Sequence, residues 1–277
     1  MSVLKNKTAV ITGSTRGVGF ETAKKLAQEG ANVVILGKSL QPHPKLPGTI
    51  PEAVAEIEAL GGRALGVQLD IRDEAMIQSA IAQTVEAFGG IDIVVNNASA
   101  VYLTTMEETE SKRFDLMQQI IVRGSFLMIQ HALPYLKKSS HAHVVNICPP
   151  IALDPKWIAP FPAYTMAKYS SSLMVMGLSE TYRKEKIAFN GLWPRKLLNT
   201  EAVRFLLGEE ALASCRDPKI MADAIHQIVI KDPEKHTGNF YIDDKLLASC
   251  GIDVAKYASM SDAHLINDAY VEEEELE

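Results

Sequence analysis

Apolar, β-branched runs recur along this chain, and between most of them lie stretches in which apolar residues return every three or four positions. A short apolar run bounded by turn residues reads as a strand buried on both faces, whereas the three-to-four spacing reads as an amphipathic helix. The pattern predicts strands over 8–11, 31–36, 64–69, 91–95, 143–147, 188–193 and 239–243. Helices are predicted over 20–30, 51–60, 74–88, 114–138 and 163–186. Strand alternating with helix is the signature of a parallel sheet, so one α/β domain is expected, a doubly wound parallel sheet with helices on both faces. No internal repeat or linker interrupts it. Residues 1–250 form the expected domain, and 251–277 read as a C-terminal extension ending in an acidic tail.

The first strand-to-helix turn carries the most informative glycines. Thr12-Gly13-Ser14-Thr15-Arg16-Gly17-Val18-Gly19 lies between the strand at 8–11 and the helix at 20–30. Glycines allow a tight turn and close backbone approach, and a helix N-terminus offers free N–H groups and a positive dipole to a pyrophosphate. The spacing differs from G-x-G-x-x-G, so the flanking strand and helix are what make a Rossmann-type dinucleotide site the expectation. A purely structural turn is the alternative. The second strand ends in Gly37-Lys38-Ser39, without the acidic residue that an NAD site sets against the ribose 2′-hydroxyl. Lys38 and Arg16 offer positive charge instead, which points to NADP in preference to NAD. As solvated surface cations they would carry no such meaning.

Further along, Asp70-Ile71 ends the third strand, where the carboxylate can accept from an adenine amine or cap a helix. Asn96-Asn97-Ala98-Ser99 ends the fourth, at the edge where polar groups line a ligand cleft. Tyr164 and Lys168 stand one turn apart on the last long helix and therefore share a face. A cation beside a phenol favours the phenolate and lowers its pKa toward working pH, as proton exchange requires. Alone, such a pair is an ordinary surface motif, and only the ordered sites around it give it weight.

The loop Gln41–Gly48 is proline-rich and is expected to flank the cofactor end, with His43 between two prolines and given no catalytic role. The stretch 195–217, with Leu197, Leu198, Phe205, Leu206 and Leu207, has the character of a lid over a substrate pocket, or of ordinary helix packing. Trp157, Phe161 and Trp193 suggest that the pocket is apolar, suited to a steroid, a fatty acyl chain or an aromatic ketone.

Composition narrows the class. The chain has 277 residues, 47% of them hydrophobic and 22% charged, as an ordinary globular domain has. Its net charge of -6 is mostly local, because Glu272 to Glu275 and Glu277 are acidic. No basic patch invites nucleic acid. The three cysteines, Cys148, Cys215 and Cys250, lack metal-ligand spacing, so no metal site and a reducing compartment are expected. No signal peptide or membrane-spanning run is read, which points to a cytoplasmic protein. Apolar residues around the long helices, among them Met166, Leu173, Met174, Met176 and Leu178, exceed one core face, so a homodimer or homotetramer is expected.

Over residues 5–245 the order of these motifs resembles the short-chain dehydrogenase/reductase family. The resemblance rests on Thr12-Gly13-x3-Gly17-x-Gly19, Asp70-Ile71, Asn96-Asn97-Ala98-Ser99 and Tyr164-x3-Lys168. Gln41–Leu46, Asn146–Pro150 and Thr237–Phe240 narrow it to one branch, whose longer members continue into a sterol-carrier domain. The resemblance implies that Tyr164 exchanges a proton with a substrate carbonyl or hydroxyl, and that Lys168 holds the nicotinamide ribose. It further implies that Gly13, Ser14, Thr15, Arg16, Gly17, Val18 and Gly19 wrap the pyrophosphate, Asp70 and Ile71 the adenine, and Asn97, Ala98 and Ser99 the ribose and cleft. Pro194 and Thr200 would flank the nicotinamide. Three positions depart from the family. Pro149 stands where a serine donates to the substrate oxygen, leaving Cys148 as the nearby donor, a weak one. Ile121 stands where an asparagine belongs to the proton relay. Arg195 replaces a glycine and would crowd the nicotinamide or meet an acidic substrate. Two readings follow: an oxidoreductase moving hydride between NADP and an apolar carbonyl or alcohol, or a homologue that keeps fold and cofactor as a binding or regulatory protein.

Overall fold

Side chains alternate across a strand, so a strand apolar on both faces has to lie between two covering layers. In the computed structural model, which describes residues 2–42, 47–258 and 264–271, seven such strands form one sheet. They are β1 Thr8–Thr12, β2 Asn32–Gly37, β3 Arg63–Gln68, β4 Ile93–Asn96, β5 Ala142–Ile147, β6 Ile187–Trp193 and β7 Phe240–Ile242. The sheet order is β3-β2-β1-β4-β5-β6-β7 and all pairings are parallel. This is the Rossmann-type doubly wound sheet expected from the pattern.

Alternation sorts the core into two layers. Ala9, Ile11, Val33, Ile35, Ile93, Val95 and Val145 pack on one face, under α1 Gly17–Gln28, α2 Ile50–Ala59, α9 Lys219–Val229 and α10 Asp243–Ser249. Val10, Val34, Leu36, Val94 and Val144 pack on the other, under α3 Glu74–Phe88 and α5 Ser125–Leu136. Of these, α9 lies in a stretch left unassigned above, although Ile220, Met221, Ala224, Ile225 and Ile228 carry the same spacing and are all buried. Three short helices, α4 Ser111–Met117, α6 Pro155–Ile158 and α8 Glu201–Leu207, and the long α7 Pro162–Thr181 complete the set.

Two departures from the predicted helices matter for the site. The helix expected over 114–138 is α4 and α5 joined through a wide π turn, Gln118–Gly124. A π turn inserts an extra residue per turn and shifts everything after it around the axis. Gly124 sits on its inner side, where a Cβ would lie 2.8 Å from Ile71 Cγ1. The helix expected over 163–186 stops at Thr181. The chain turns through Lys186 in the left-handed region, φ 59°, and Tyr182 packs on Phe189 of β6, ring centroids 5.9 Å apart. His43 and the acidic tail lie outside the described residues.

Candidate active site

Parallel strands end at one edge, and between β1 and β4 the chain direction of growth reverses, leaving a crevice there. The glycine turn occupies it. Gly13 and Gly17 have φ of 65° and 55°, a region L side chains rarely adopt. A Cβ at Gly13 would lie 3.1 Å from Ala98 Cα, and one at Gly19 would fall 2.5 Å from both Asn97 Nδ2 and the Gly13 carbonyl. Asn97 explains the close approach: its side-chain amide donates to the carbonyls of Thr12 at 2.9 Å and Gly13 at 3.0 Å. Ser14 is internal too. Its hydroxyl donates to Ile11 O at 2.7 Å and accepts from Leu36 N at 3.0 Å. Thr15 is buried against Gly37, and Thr200 caps α8 with its methyl facing Gly17. Val18 and the start of α1 complete the cradle, while Ser99 stays exposed.

The two expected cations differ. Arg16 is half-buried, and its Nη1 is enclosed without a hydrogen-bond partner among the described residues. Burial lowers its pKa, with Glu201 opposing. An enclosed guanidinium N–H without an acceptor is an opening for an anion. Lys38 is exposed and bonded 3.1 Å from Asp70 Oδ2. Asp70 also takes Arg72 Nε at 2.9 Å, and these partners hold its carboxyl well below the usual range. Ile71 is buried beneath the π turn.

The second half of the crevice is built on α7. Asn96 of β4 donates to Asn146 of β5 at 2.9 Å, opposite in register, and Asn146 donates to Ser171 of α7 at 3.1 Å. Lys168 Nζ donates to Ile147 O at 2.9 Å, and Ser172 to Pro149 O at 2.7 Å. Tyr164 is 7% exposed and Lys168 4%, with Nζ 5.8 Å from the Tyr164 ring centroid and 5.1 Å from that of Trp193. Pro194 is buried at the end of β6. Cys148 is fully buried. Burial pushes its thiol up to about 11, while Ser172, Lys168 and Ser171 act the other way, so it titrates as an interior thiol. Ile121, on the π turn, is buried in the same apolar cluster as Tyr164, Met117 and Trp193.

Electrostatics here run against the simple expectation for Tyr164. Burial raises the phenol well above its ordinary value, and Asp268 and Tyr270 add to it, so the net effect in this state is a held proton. Burial lowers Lys168 to about 8, against the pull of Cys148 and Asp268. Arg195 does not face a ligand. Its Nε donates to Asp244 at 2.7 and 2.9 Å, Arg216 shares that carboxylate at 3.0 Å, and Asp243 Oδ1 accepts from the Arg195 backbone N–H. Neither crowding of the nicotinamide nor service to an acidic substrate fits a guanidinium so committed.

What the pattern did not announce is the return of residues 264–271 to this edge. Asp268 N donates to Arg195 O at 2.8 Å, Leu197 N to Ile266 O at 2.9 Å, and Trp193 Nε1 to Ala269 O at 2.8 Å. Tyr270 is buried among Trp157, Phe161, Tyr169 and Trp193. The only local signal was the pair Tyr270-Val271 ahead of the acidic run. In the 195–217 stretch, Leu198 is core, Val203, Leu212 and Cys215 form a small cluster of their own, and Phe205 is 78% exposed.

Residues 7–208 match the short chain dehydrogenase family, and the chain belongs to it: oxidoreductases that bind a nicotinamide cofactor and act on small molecules. Among relatives, hydroxysteroid dehydrogenase-like protein 2 of Xenopus tropicalis is 48% identical over 267 residues, 96% of this chain and 64% of that protein. The Homo sapiens protein of that name is 48% identical over 246 residues, 89% and 58% of the two chains. This chain thus spans under two thirds of their length. A short chain dehydrogenase from Mycobacterium thermoresistibile superposes with TM-score 0.91 at 44% identity, covering 97% of this chain and 96% of that one. A metagenomic short-chain oxidoreductase in complex with NADP, 21% identical with TM-score 0.71 and covering 86% and 97% of the chains, shares the fold. Among the described residues no helix is long and apolar enough to cross a membrane, and no group of three His, Cys, Asp or Glu gathers as for a metal.

Asp268 gives the arrangement a measurable signature. Its carboxyl is pushed up from 3.8 to about 7, by burial first and by Asp243, while the Ala269 N–H and Lys168 act the other way. The residue keeps some solvent contact. Between about pH 4 and 7 the folded chain holds a proton that the unfolded chain has lost. Stability from this group is therefore complete below the unfolded pKa and declines as pH rises toward the folded one. Asp268→Asn should flatten that decline by at most about 1.4 kcal/mol per pH unit. Urea unfolding of both chains across the window checks it, and an unchanged slope would show that Asp268 titrates as if in water.

Proposed function

We propose that the chain is an NADP-dependent oxidoreductase reducing an apolar carbonyl compound, or oxidising the matching alcohol, with Tyr164 as the proton donor or acceptor. The observation that carries this reading is the buried Tyr164 phenol with Lys168 beside it, tied to Ile147 O at the same carboxyl edge of the sheet as the glycine turn. When bound, the cofactor supplies the hydride. Gly13 to Gly19 and the N-terminus of α1 would hold its pyrophosphate, Arg16 Nη1 its 2′-phosphate, and Lys168 its nicotinamide ribose. A phenol that keeps its proton at neutral pH fits the donor role, so reduction is the direction the resting site favours. Loss of the positioned serine at Pro149 removes a hydrogen bond to the substrate oxygen, which in such sites is worth about 3 kcal/mol. Cys148, enclosed and held against Ser171 and Ser172, is poorly placed to replace it.

Ile121 and Pro149 favour a second reading, a cofactor-binding protein with little turnover. Both are separated by one comparison. NADPH consumption with a panel of aldehydes, ketones and acyl thioesters should fall by about 100-fold or more in Tyr164→Phe while NADPH binding persists. Binding without consumption in the parent chain would favour the second reading instead.

Arg16 tests the cofactor. Arg16→Gln should weaken NADPH binding by about 10- to 100-fold, the worth of a charge-assisted hydrogen bond, and leave NADH binding unchanged. Equal loss for both cofactors would place Arg16 away from the 2′-phosphate.

Met166, Leu173 and Met176 form an exposed apolar stripe on α7, and Phe126 is exposed on α5. Such faces suit a second copy of the chain, which we take to be a homodimer or homotetramer. Light scattering should show more than one copy, and Leu173→Asp, at a position 59% exposed, should shift it toward the monomer without unfolding. A monomeric parent chain would remove this assignment. A reducing, cytoplasmic setting agrees with three free cysteines but carries no further argument.

A further inference from the structure

The reaction read above needs a substrate oxygen within hydrogen-bond reach of the Tyr164 hydroxyl. Tyr164 is almost wholly enclosed, and what encloses its outer side includes residues of the C-terminal segment 264–271. Tyr270 fills a box of four aromatic rings. Its centroid lies 5.4 Å from Tyr169, 5.7 Å from Trp193, 6.0 Å from Phe161 and 6.3 Å from Trp157, all at tilted or edge-on angles. Its hydroxyl lies 2.9 Å from Thr165 Oγ1, on the residue next to Tyr164. Phe161 in turn is 6.3 Å from the Tyr164 ring, so one wall of the box borders the reacting residue.

We propose that this aromatic box is the subsite for a flat ring of the substrate carrying a polar edge, and that Tyr270 stands in it as an internal occupant which substrate must displace. The inference rests on the reading of Tyr164 as the reacting residue. Four rings, two edge-on and two tilted, set around a fifth make a slot with the geometry that aromatic recognition prefers. Thr165 supplies a polar contact to orient the ring. The occupant is held by features that can let go. Its anchors to β6 and the following loop are separate hydrogen bonds: Trp193 Nε1 to Ala269 O, Asp268 N to Arg195 O, Leu197 N to Ile266 O and Ile266 N to Ser214 O. Lys196 adds Asn267 at 2.7 Å. Tyr270 itself has φ 68°, a left-handed conformation that a tyrosine adopts only against strain. Asp268 brings a carboxyl toward Tyr164, Lys168 and Asp243, where burial disfavours its charge, and lifting the segment would return it to water. Each of these makes the closed state less secure than a core contact of the same area.

The test reads pocket opening, not turnover. The chain has two tryptophans, Trp157 and Trp193, and both rings face Tyr270. In the 277-residue chain, Tyr270→Ala should bind 2-naphthol, a flat ring with one hydroxyl, at least about tenfold tighter than the parent, because an internal occupant reduces apparent affinity by the open fraction. Acrylamide should also quench the tryptophan fluorescence of the variant more strongly. Equal or weaker 2-naphthol binding by Tyr270→Ala would overturn the proposal and make Tyr270 a wall of the site. If the variant shows no cooperative melt, hydrogen exchange on the parent chain decides. The amides of Ile266 and Asp268 should exchange faster with 2-naphthol bound, and unchanged or slower exchange would overturn the proposal. Failure here leaves the role of Tyr164 standing, since that role is judged by NADPH consumption.

Discussion

The chain of side-chain hydrogen bonds from Asn96 through Asn146 to Ser171, with Lys168 bonded to Ile147 O beside it, fixes α7 against the carboxyl ends of β4 and β5. These groups sit in the interior, where an amide left without a partner costs about 1–3 kcal/mol, so the helix has one low-energy register on the sheet. Tyr164 lies one turn before Lys168 and is placed by the same bonds. A slip of one residue along α7 would break the ladder and turn the phenol about 100° away. The same constraint carries Thr165 to Tyr270, so the returning C-terminal segment is positioned from the sheet outward.

Around that anchor the site divides by chemistry. Around the glycine turn nearly every polar group is committed to shaping backbone: Asn97, Ser14 and Thr12 all bond to the turn or its neighbours. What remains open among the described residues is backbone N–H at the start of α1 and one guanidinium nitrogen of Arg16, both suited to phosphate. On the other side the lining is aromatic and apolar, and charges come in compensated sets. Arg195 and Arg216 share Asp244, and Lys168 faces Asp268. Low local polarity there keeps Tyr164 protonated, and one carboxyl swinging in or out of that space changes the field on both Tyr164 and Lys168.

The substitutions at positions 121 and 149 gain meaning from this division. Ile121 belongs to the apolar cluster around Tyr164, and Pro149 offers a carbonyl to Ser172. Both reinforce packing where family members commit polar groups to the reaction.

The sequence by itself determined the sheet, its strands, the glycine cradle and the Tyr164–Lys168 pair, because these depend on period-two and period-3.6 spacing and on glycine's freedom, all local properties. It also held the signal for α9 in the spacing of Ile220, Met221, Ala224 and Ile225. Tertiary structure alone decided the π turn that sets Ile121, since an extra residue in a turn leaves no mark on composition. It decided that Arg195 is spent on Asp244, that Lys38 meets Asp70 and that Arg16 keeps an open nitrogen, because charge pairing depends on distances between elements far apart in the chain. And it decided the place of Tyr270, more than a hundred residues from Thr165: a lone tyrosine before an acidic run has no periodicity to read, and only the folded sheet edge brings the two together.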